Sequence, residues 1–523
     1  MLKRIIFLCV AFSFVLINMA SFAGEQNPGR ENSEKLLTQF DLSSLVKESF
    51  TISPDSRHVA YVTKSGNKVF VIVDGKKEKQ YDGIMEKQCG DSLMEETLIF
   101  SPDSKHLAYR VKSGNKVFVV IDGKEEKQYD FIKEKYCNDN IVPKTLIFSP
   151  DSKHLAYRAE SAHQSFVVVD GKEEKKYDFI KSLIFSPDSR HMAYVASSDN
   201  KNFVVVDGKE ENKHNNIDFL IFSPDSKHLA YGAISGNKWF VVVDGKEGKQ
   251  YDYVLSYHTI AFSLDSRHMV HRASLGNKWF IVVDGKEGKR YDDIYYYTIA
   301  FSPDSKHMGY VAKSGNRVFI VVDGKEEKPY DKIGDYASWY YAPFFFSPDS
   351  KHLAYSVKSG DKWFAVVDGK AVKQYDYISY DMIFSPDSKH LAYSVKSGNK
   401  RFAVVDGKEQ KYDGAVFFSP DSKHVAYRVR SGNKWFAVVD GKEQKQYDRF
   451  YDILFSLDSK HMAYRAKSDN KWVVVVDGKE GNQYDDFYLM PYDRKMIVFD
   501  TSDSFHYLAL KGSSIYLVEE KIK

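Results

Sequence analysis

Cysteine is nearly missing: three in 523 residues, too few for a fold built on disulfides. An excess of one charge sign is missing too. Seventy-five Lys and Arg face 72 Asp and Glu, a net charge of +3, and no basic stripe of the kind nucleic acid demands is present. After the first 23 residues no apolar run is long enough to span a bilayer. The sequence has no G-x-S-x-G elbow, no H-E-x-x-H, no Walker loop and no G-x-G-x-x-G. It also lacks a dense D-x-D-x-D-G calcium loop. The expectation is therefore a protein that is not an enzyme, with no cofactor and no metal.

What is present starts with an export signal. Lys3 and Arg4 precede an apolar run over 5–20, and "ASFA" before Gly24 is a small-residue cleavage site. Residues 1–23 thus read as a signal peptide, and the mature protein as exported, periplasmic or secreted. Residues 24–34, "GEQNPGRENSE", read as a flexible leader, and 35–523 as the folded array. Apolar residues make up 43% and charged residues 28%, which suits a packed core with a solvated surface.

The array is a repeat. Ser-Pro/Leu-Asp-Ser starts at Ser53, Ser101, Ser149, Ser186, Ser223, Ser263, Ser302, Ser347, Ser385, Ser419 and Ser456, eleven copies spaced 34 to 48 residues apart. A twelfth, divergent copy covers 498–520. Each copy carries four strand signals. A short apolar strand ("TLIF") ends at the Pro-Asp turn. "HLAYRV" follows, then a Gly-Asn turn and a nearly unbroken apolar strand such as "KWFVVVD", suited to burial on both faces. Asp-Gly then marks a hairpin, and "KEEKQYD" forms a charged edge that discourages edge-to-edge pairing. Four strands in about 40 residues, apolar at one edge and charged at the other, describe a β-propeller blade.

"FSPDSKHLAY" resembles the WD-like propeller repeat of TolB-type periplasmic proteins, over nearly the whole mature chain. The resemblance implies an all-β propeller of twelve four-stranded repeats. Two departures stand out. Ser replaces the family's Gly at the last position of the turn, where a positive φ is often required. The chain also shows no counterpart of the α/β domain that precedes the propeller in TolB, so the resemblance does not extend to TolB's peptidoglycan-associated lipoprotein partner.

"KLLTQFD" aligns with a fourth strand that has no blade before it, and the last copy has three strands. The two chain ends are therefore expected to complete one blade. Because propellers usually hold four to eight blades, two tandem rings of about six are favoured over one large ring, with a split near 293–300 or 331–345.

Eleven of the 16 His recur at one place in the repeat, from His58 to His461, and His506 is assigned to that place in the twelfth copy. A residue repeated in every blade serves the blade. His163, His214, His258 and His271 fall outside the pattern and read as surface residues. Cys89 and Cys137 occupy equivalent positions in neighbouring long segments, and export permits a disulfide between them; free thiols or pairing between molecules are the alternatives.

The segment after each charged strand varies most, and it is expected to join blades on one face. Several of these segments are aromatic. Tyr295, Tyr297, Trp339, Tyr340, Tyr451 and Tyr488 are the candidate contacts, with filling of space near the axis as the competing role. The leading functional expectation is a scaffold that binds a protein or peptide partner in the cell envelope. The alternatives are a carbohydrate- or cell-wall-binding propeller and, behind it, a propeller hydrolase or lyase.

Overall fold

The computed structural model describes residues 29–41, 43–46, 49–84, 98–130, 132, 146–255, 260–296, 298–334, 343–379, 382–412, 414–487 and 497–523. Its regular elements are strands, arranged as twelve antiparallel sheets. We number the sheets as blades: 1 (51–81), 2 (83–125), 3 (146–173), 4 (179–210), 5 (216–247), 6 (253–287), 7 (293–326), 8 (332–375), 9 (377–409), 10 (415–443), 11 (449–484) and 12 (497–522 with 30–39). The chain is a β-propeller.

Blade 4 shows how the repeat folds. Its first strand, Phe179–Phe185, pairs with Met192–Ser198, which pairs with Lys201–Val206. The next turn takes Asp207 at φ 48° and Gly208 at φ 77°, the left-handed pair that a tight hairpin requires. The edge strand Lys209–Glu210 closes the sheet. Alternate residues of the second strand serve two cores. Met192, Tyr194 and Ala196 pack with Ala156 and Val167 of blade 3. Ala193 and Val195 pack with Leu229, Tyr231 and Phe240 of blade 5. Both faces are thus buried, which explains the lack of hydrophobic alternation. Each buried aliphatic side chain contributes about 1.5–3 kcal/mol relative to exposure.

The Ser-Pro-Asp-Ser turn links blades. In blade 3, Ser149 is fully buried; its hydroxyl donates to Asp151 (2.7 Å) and accepts the His154 amide proton (3.0 Å). All eleven final serines of the turn have φ between 59° and 66°, a conformation that costs non-glycine residues about 1–2 kcal/mol. Their hydroxyls explain why Gly is dispensed with. At eight successive junctions, Asp103–Ser152 to Asp387–Ser422, the amide of the turn aspartate donates to the serine Oγ of the following blade at 2.9–3.1 Å. Glycine would relieve the backbone and lose this bond.

The chain divides into two compact units. One holds the N-terminal residues to Gln80 with Ser431–Ala437 and Glu443–Lys523; the other holds Tyr81–Arg430 with Val438–Lys442. Blades 11, 12 and 1 belong to the first, blades 2–9 to the second, and blade 10 is divided between them. Neither candidate split interrupts the second unit. Core clusters run from Val270 and Ile281 to Tyr310 across 293–300, and from Val311 and Ile320 to Tyr355 and Val366 across 331–345.

In the first unit the chain ends complete blade 12 as expected: Arg30–Gln39 pairs along Ser514–Ile522. Arg30 to Glu34, assigned by sequence to a flexible leader, are strand residues instead. Arg30 pairs with Glu520 at 3.0 Å, both almost fully buried, and donates to the Lys479 carbonyl at 2.9 Å. Glu34 accepts from the Tyr484 hydroxyl at 2.7 Å. Their composition is polar, but these ion-pair and hydrogen-bond partners hold them in the sheet, although Arg30 Nε has no acceptor among the described residues. His506 also differs from its sequence assignment. It lies opposite Val498, as Ala108 lies opposite Ile99, so it is two positions past the repeated His. It is buried, and its Nε2 meets the Asp55 carbonyl at 2.7 Å.

The variable segments do not join blades. In blade 7, Asp293–Ile294 and Ala300–Phe301 both pair with the same second strand, Met308–Ser314; in blade 2, Gly83–Ile84 and Leu98–Phe100 both pair with Leu107–Ser113. In these blades the residues just after "QYD" already pair in the new blade, so the first strand is in two parts.

The serine bond gives an ordered prediction. Ser226→Ala keeps the strained φ and orphans the Asp188 amide, costing about 1–2 kcal/mol. Ser226→Gly loses the bond but relieves the strain, and stays near wild type. Urea denaturation should rank Ala below Gly; the reverse order would refute this account.

Candidate interaction surface

At the blade end that carries the turn between second and third strands, the aspartate of "QYD" makes two bonds at the junctions into blades 6 and 7. Asp252 accepts from the Gly276 amide of blade 6 at 2.7 Å and from Lys238 at 2.6 Å. Asp292 does the same with Gly315 and Lys278. These bonds hold that end of the blades rigid and neutralise its charges.

On this support lies an aromatic line in the second unit. Trp239 and Trp279 open the third strands of blades 5 and 6. Tyr253, from the first strand of blade 6, sits between them, with ring centroids 5.0 Å from Trp239 and 5.9 Å from Trp279. Arg272 lies beside Trp279. Its guanidinium is 3.5 Å from the Trp279 ring centre and 4.5 Å from that of Tyr296 in blade 7, a stacked geometry that favours Arg over Lys. Nη2 donates to Asp293 at 2.7 Å, while Nε and Nη1 have no acceptor among the described residues. Arg272 is 1% exposed. Burial pulls its pKa down, opposed by Tyr296 and Asp293. Tyr253 and Tyr296 remain 37% and 45% exposed, so the line has a wet side.

The first unit has a smaller counterpart. Tyr451 is exposed, 5.8 Å from Trp472, with the Arg465 guanidinium 5.9 Å away. Arg465 in turn holds Asp452 through Nε at 2.7 Å.

Of the candidate contacts, Tyr451 is thus on the surface. Tyr295 is half-buried against the core shared by blades 7 and 8 and bonds through its backbone to Val311 and Thr298; its neighbour Tyr296 faces solvent. Tyr297, Trp339, Tyr340 and Tyr488 lie outside the described residues, as do Cys89 and Cys137. Trp239, Tyr253, Arg272, Trp279 and Tyr296 were missed. A signal existed: blade 6 alone reads "HMVHRA" where ten copies carry Tyr in place of His271.

The repeated histidines are tied to their blades. His106 Nδ1 donates to Asp122 of the Asp-Gly turn at 2.8 Å, and its ring stacks on Phe148 of the next blade at 6.5 Å. His228, His352 and His390 stack likewise on Phe262, Phe384 and Phe418. No group of three or more His, Cys, Asp or Glu converges on a metal position among the described residues.

Two histidines read as surface residues are buried. His214 stands where neighbouring blades have the "QYD" tyrosine and packs edge-on against Tyr231 and Phe240. His271 stands where blade 5 has Tyr231, whose hydroxyl donates to Glu211 of blade 4 at 2.7 Å. The residue matching Glu211 before blade 6 is Gly248: both amides bond the third-strand carbonyl, at Val204 and Val241. Donor and acceptor were lost together. Both His271 ring nitrogens lack partners among the described residues, and burial brings its pKa down to about 4. His258 lies outside the described residues.

No known protein family and no curated protein matches the sequence. Solved structures similar to the chain include hydrazine synthase of Kuenenia stuttgartiensis (14% identity, TM-score 0.23, 52% of this chain and 98% of that one). The β-propeller domain of the Trilobed protease from Pyrococcus furiosus is similar at 13% identity and TM-score 0.24, over 49% of this chain and 93% of that one. The Dos1 propeller is similar at 12% identity and TM-score 0.27, over 65% and 94%. Such scores say nothing of activity.

His271 generates a pH prediction. Its proton is bound near pH 6.5 in the unfolded chain and only near 4 in the fold. Stability from this group is complete above 6.5 and is lost as pH falls toward 4, by about 3 kcal/mol. Urea denaturation between those pH values should show a steeper decline in wild type than in His271→Tyr. Parallel curves would refute the assignment.

Proposed function

We propose that the chain is an exported, non-enzymatic scaffold of the TolB-like propeller type that binds a protein or peptide partner in the cell envelope through its aromatic surface. One observation carries the reading: Tyr253 and Tyr296 stay exposed while seated on Trp239, Trp279 and a buried Arg272. Tyr, Trp and Arg are the residues that dominate binding energy at protein interfaces. Tyr253, held between two tryptophan rings, has little freedom left to lose on association. The apolar run over 5–20 and "ASFA" support export. A glycan is the second reading, because Asp293 and Arg272 place an acceptor and donors beside an aromatic ring.

Site-specific photo-cross-linking tests the proposal. With a benzoyl-phenylalanine in place of Tyr296 or Tyr451, a discrete protein adduct should form in intact cells, and none with the label at Lys209 on the charged edge. The mature N-terminus should be Gly24. Absence of an adduct at both tyrosines would sink the partner-binding reading, and a cytosolic, unprocessed chain would sink export.

A further inference from the structure

The repeats supply their own internal comparison, since features shared by all copies maintain the blade and departures need another explanation. At the position of Arg272 the other blades of the second unit carry Val195, Val311, Gly232, Ser356, Ser394 or another Arg. Arg110 and Arg158 are likewise buried there, but blade 6 adds Trp on its own third strand and on that of blade 5. Where blades 2 and 7 place Val117 and Val318 at the third-strand position, blades 5 and 6 place Trp239 and Trp279. Here the guanidinium is held between a tryptophan and an exposed tyrosine.

Resting on the partner-binding reading, we infer that the Trp239–Tyr253–Trp279–Arg272–Tyr296 line is the binding site for an uncharged, proline-rich peptide in the polyproline II conformation. Three observations select this ligand. The local charges are already cancelled: Lys238 by Asp252, Lys278 by Asp292, and Arg272 by Asp293. Asp218 also acts on Tyr253, which disfavours an acidic ligand. The second observation is that Arg272 Nε and Nη1 lack acceptors among the described residues. A polyproline II chain makes no internal hydrogen bonds, so its carbonyls are free to accept. Displacement of the exposed Tyr296 ring gives a carbonyl its path to them. The third is the relief of the rings. Trp239 and Tyr253 are tilted by 57°, and Tyr253 and Trp279 by 83°. They present alternating edges and faces, the kind of aromatic-lined surface on which ridged polyproline segments dock, rather than one flat platform for a sugar ring.

The test titrates decaproline into the full-length mature protein and follows tryptophan fluorescence, with a ten-residue Gly-Ser peptide as control. Decaproline is expected to give a saturable change and the control none. Trp239→Val and Arg272→Val install residues that other blades carry, so the fold is retained; each should weaken binding at least tenfold. Tyr253→Ala should do the same, and Lys209→Ala, on the charged edge of blade 4, should leave binding unchanged. No saturable change, or wild-type affinity in the Trp239, Tyr253 and Arg272 variants, would overturn the inference. So would a chito-oligosaccharide that binds in decaproline's stead and is lost with Tyr253→Ala. A cross-linked partner at Tyr296 without decaproline binding sinks this ligand alone; no adduct and no binding sinks both this inference and the scaffold reading.

Discussion

The amide of one turn aspartate and the hydroxyl of the next blade's serine meet at 2.9–3.1 Å from blade 2 to blade 10. Much else follows from this bond. At each of these eight junctions it anchors a serine in a left-handed conformation that no side chain prefers, and it sets the spacing at which two-faced sheets can share cores. At the opposite end, the "QYD" aspartate does the equivalent work by accepting the amide of the next blade's turn. A blade is thus secured to its neighbour at both ends, with the apolar core between. Sheets buried on both faces have no independent stability, so these polar links act on contacts that hydrophobic burial already favours.

Blade 12 meets the same demand by other means. It lacks the Pro-Asp turn, and the junction to blade 1 instead uses His506 on the Asp55 carbonyl and Arg57 on Asp500. The buried Arg30–Glu520 pair joins the two chain ends. Burial raises the Glu520 pKa despite the arginine and the Tyr507 hydroxyl that oppose it. Desolvation therefore outweighs the attraction, as is common for buried ion pairs.

Near-identity among copies makes the exceptions informative. Blade 6 lost a tyrosine at His271 and its partner acid at Gly248, and it borders the aromatic line that includes Arg272. The eleven His–Asp pairs, by contrast, recur with one geometry and are explained by the turns they brace.

Strand number, turn types and the pairing of the chain ends were legible in the sequence, because they depend on local chemistry: Asp-Gly needs two left-handed residues, charge marks an edge, and an unpaired strand signal needs a partner. The repeated serine in place of glycine was visible, but its acceptor role was not, since the donor lies about 40 residues away in another blade. Tyr295 and Tyr296 are adjacent and chemically alike, yet one packs on the core shared by blades 7 and 8 and the other faces solvent. His214 and His271 stand at tyrosine positions of the repeat, which the sequence shows, but their burial is decided only once the neighbouring blade is in place. Composition and spacing alone determined an all-β array of four-stranded wedges. Which side chains face water, which lose it, and where Trp, Tyr and Arg converge were decided only when adjacent blades packed, because burial and partner geometry belong to the seam between two repeats and not to either one.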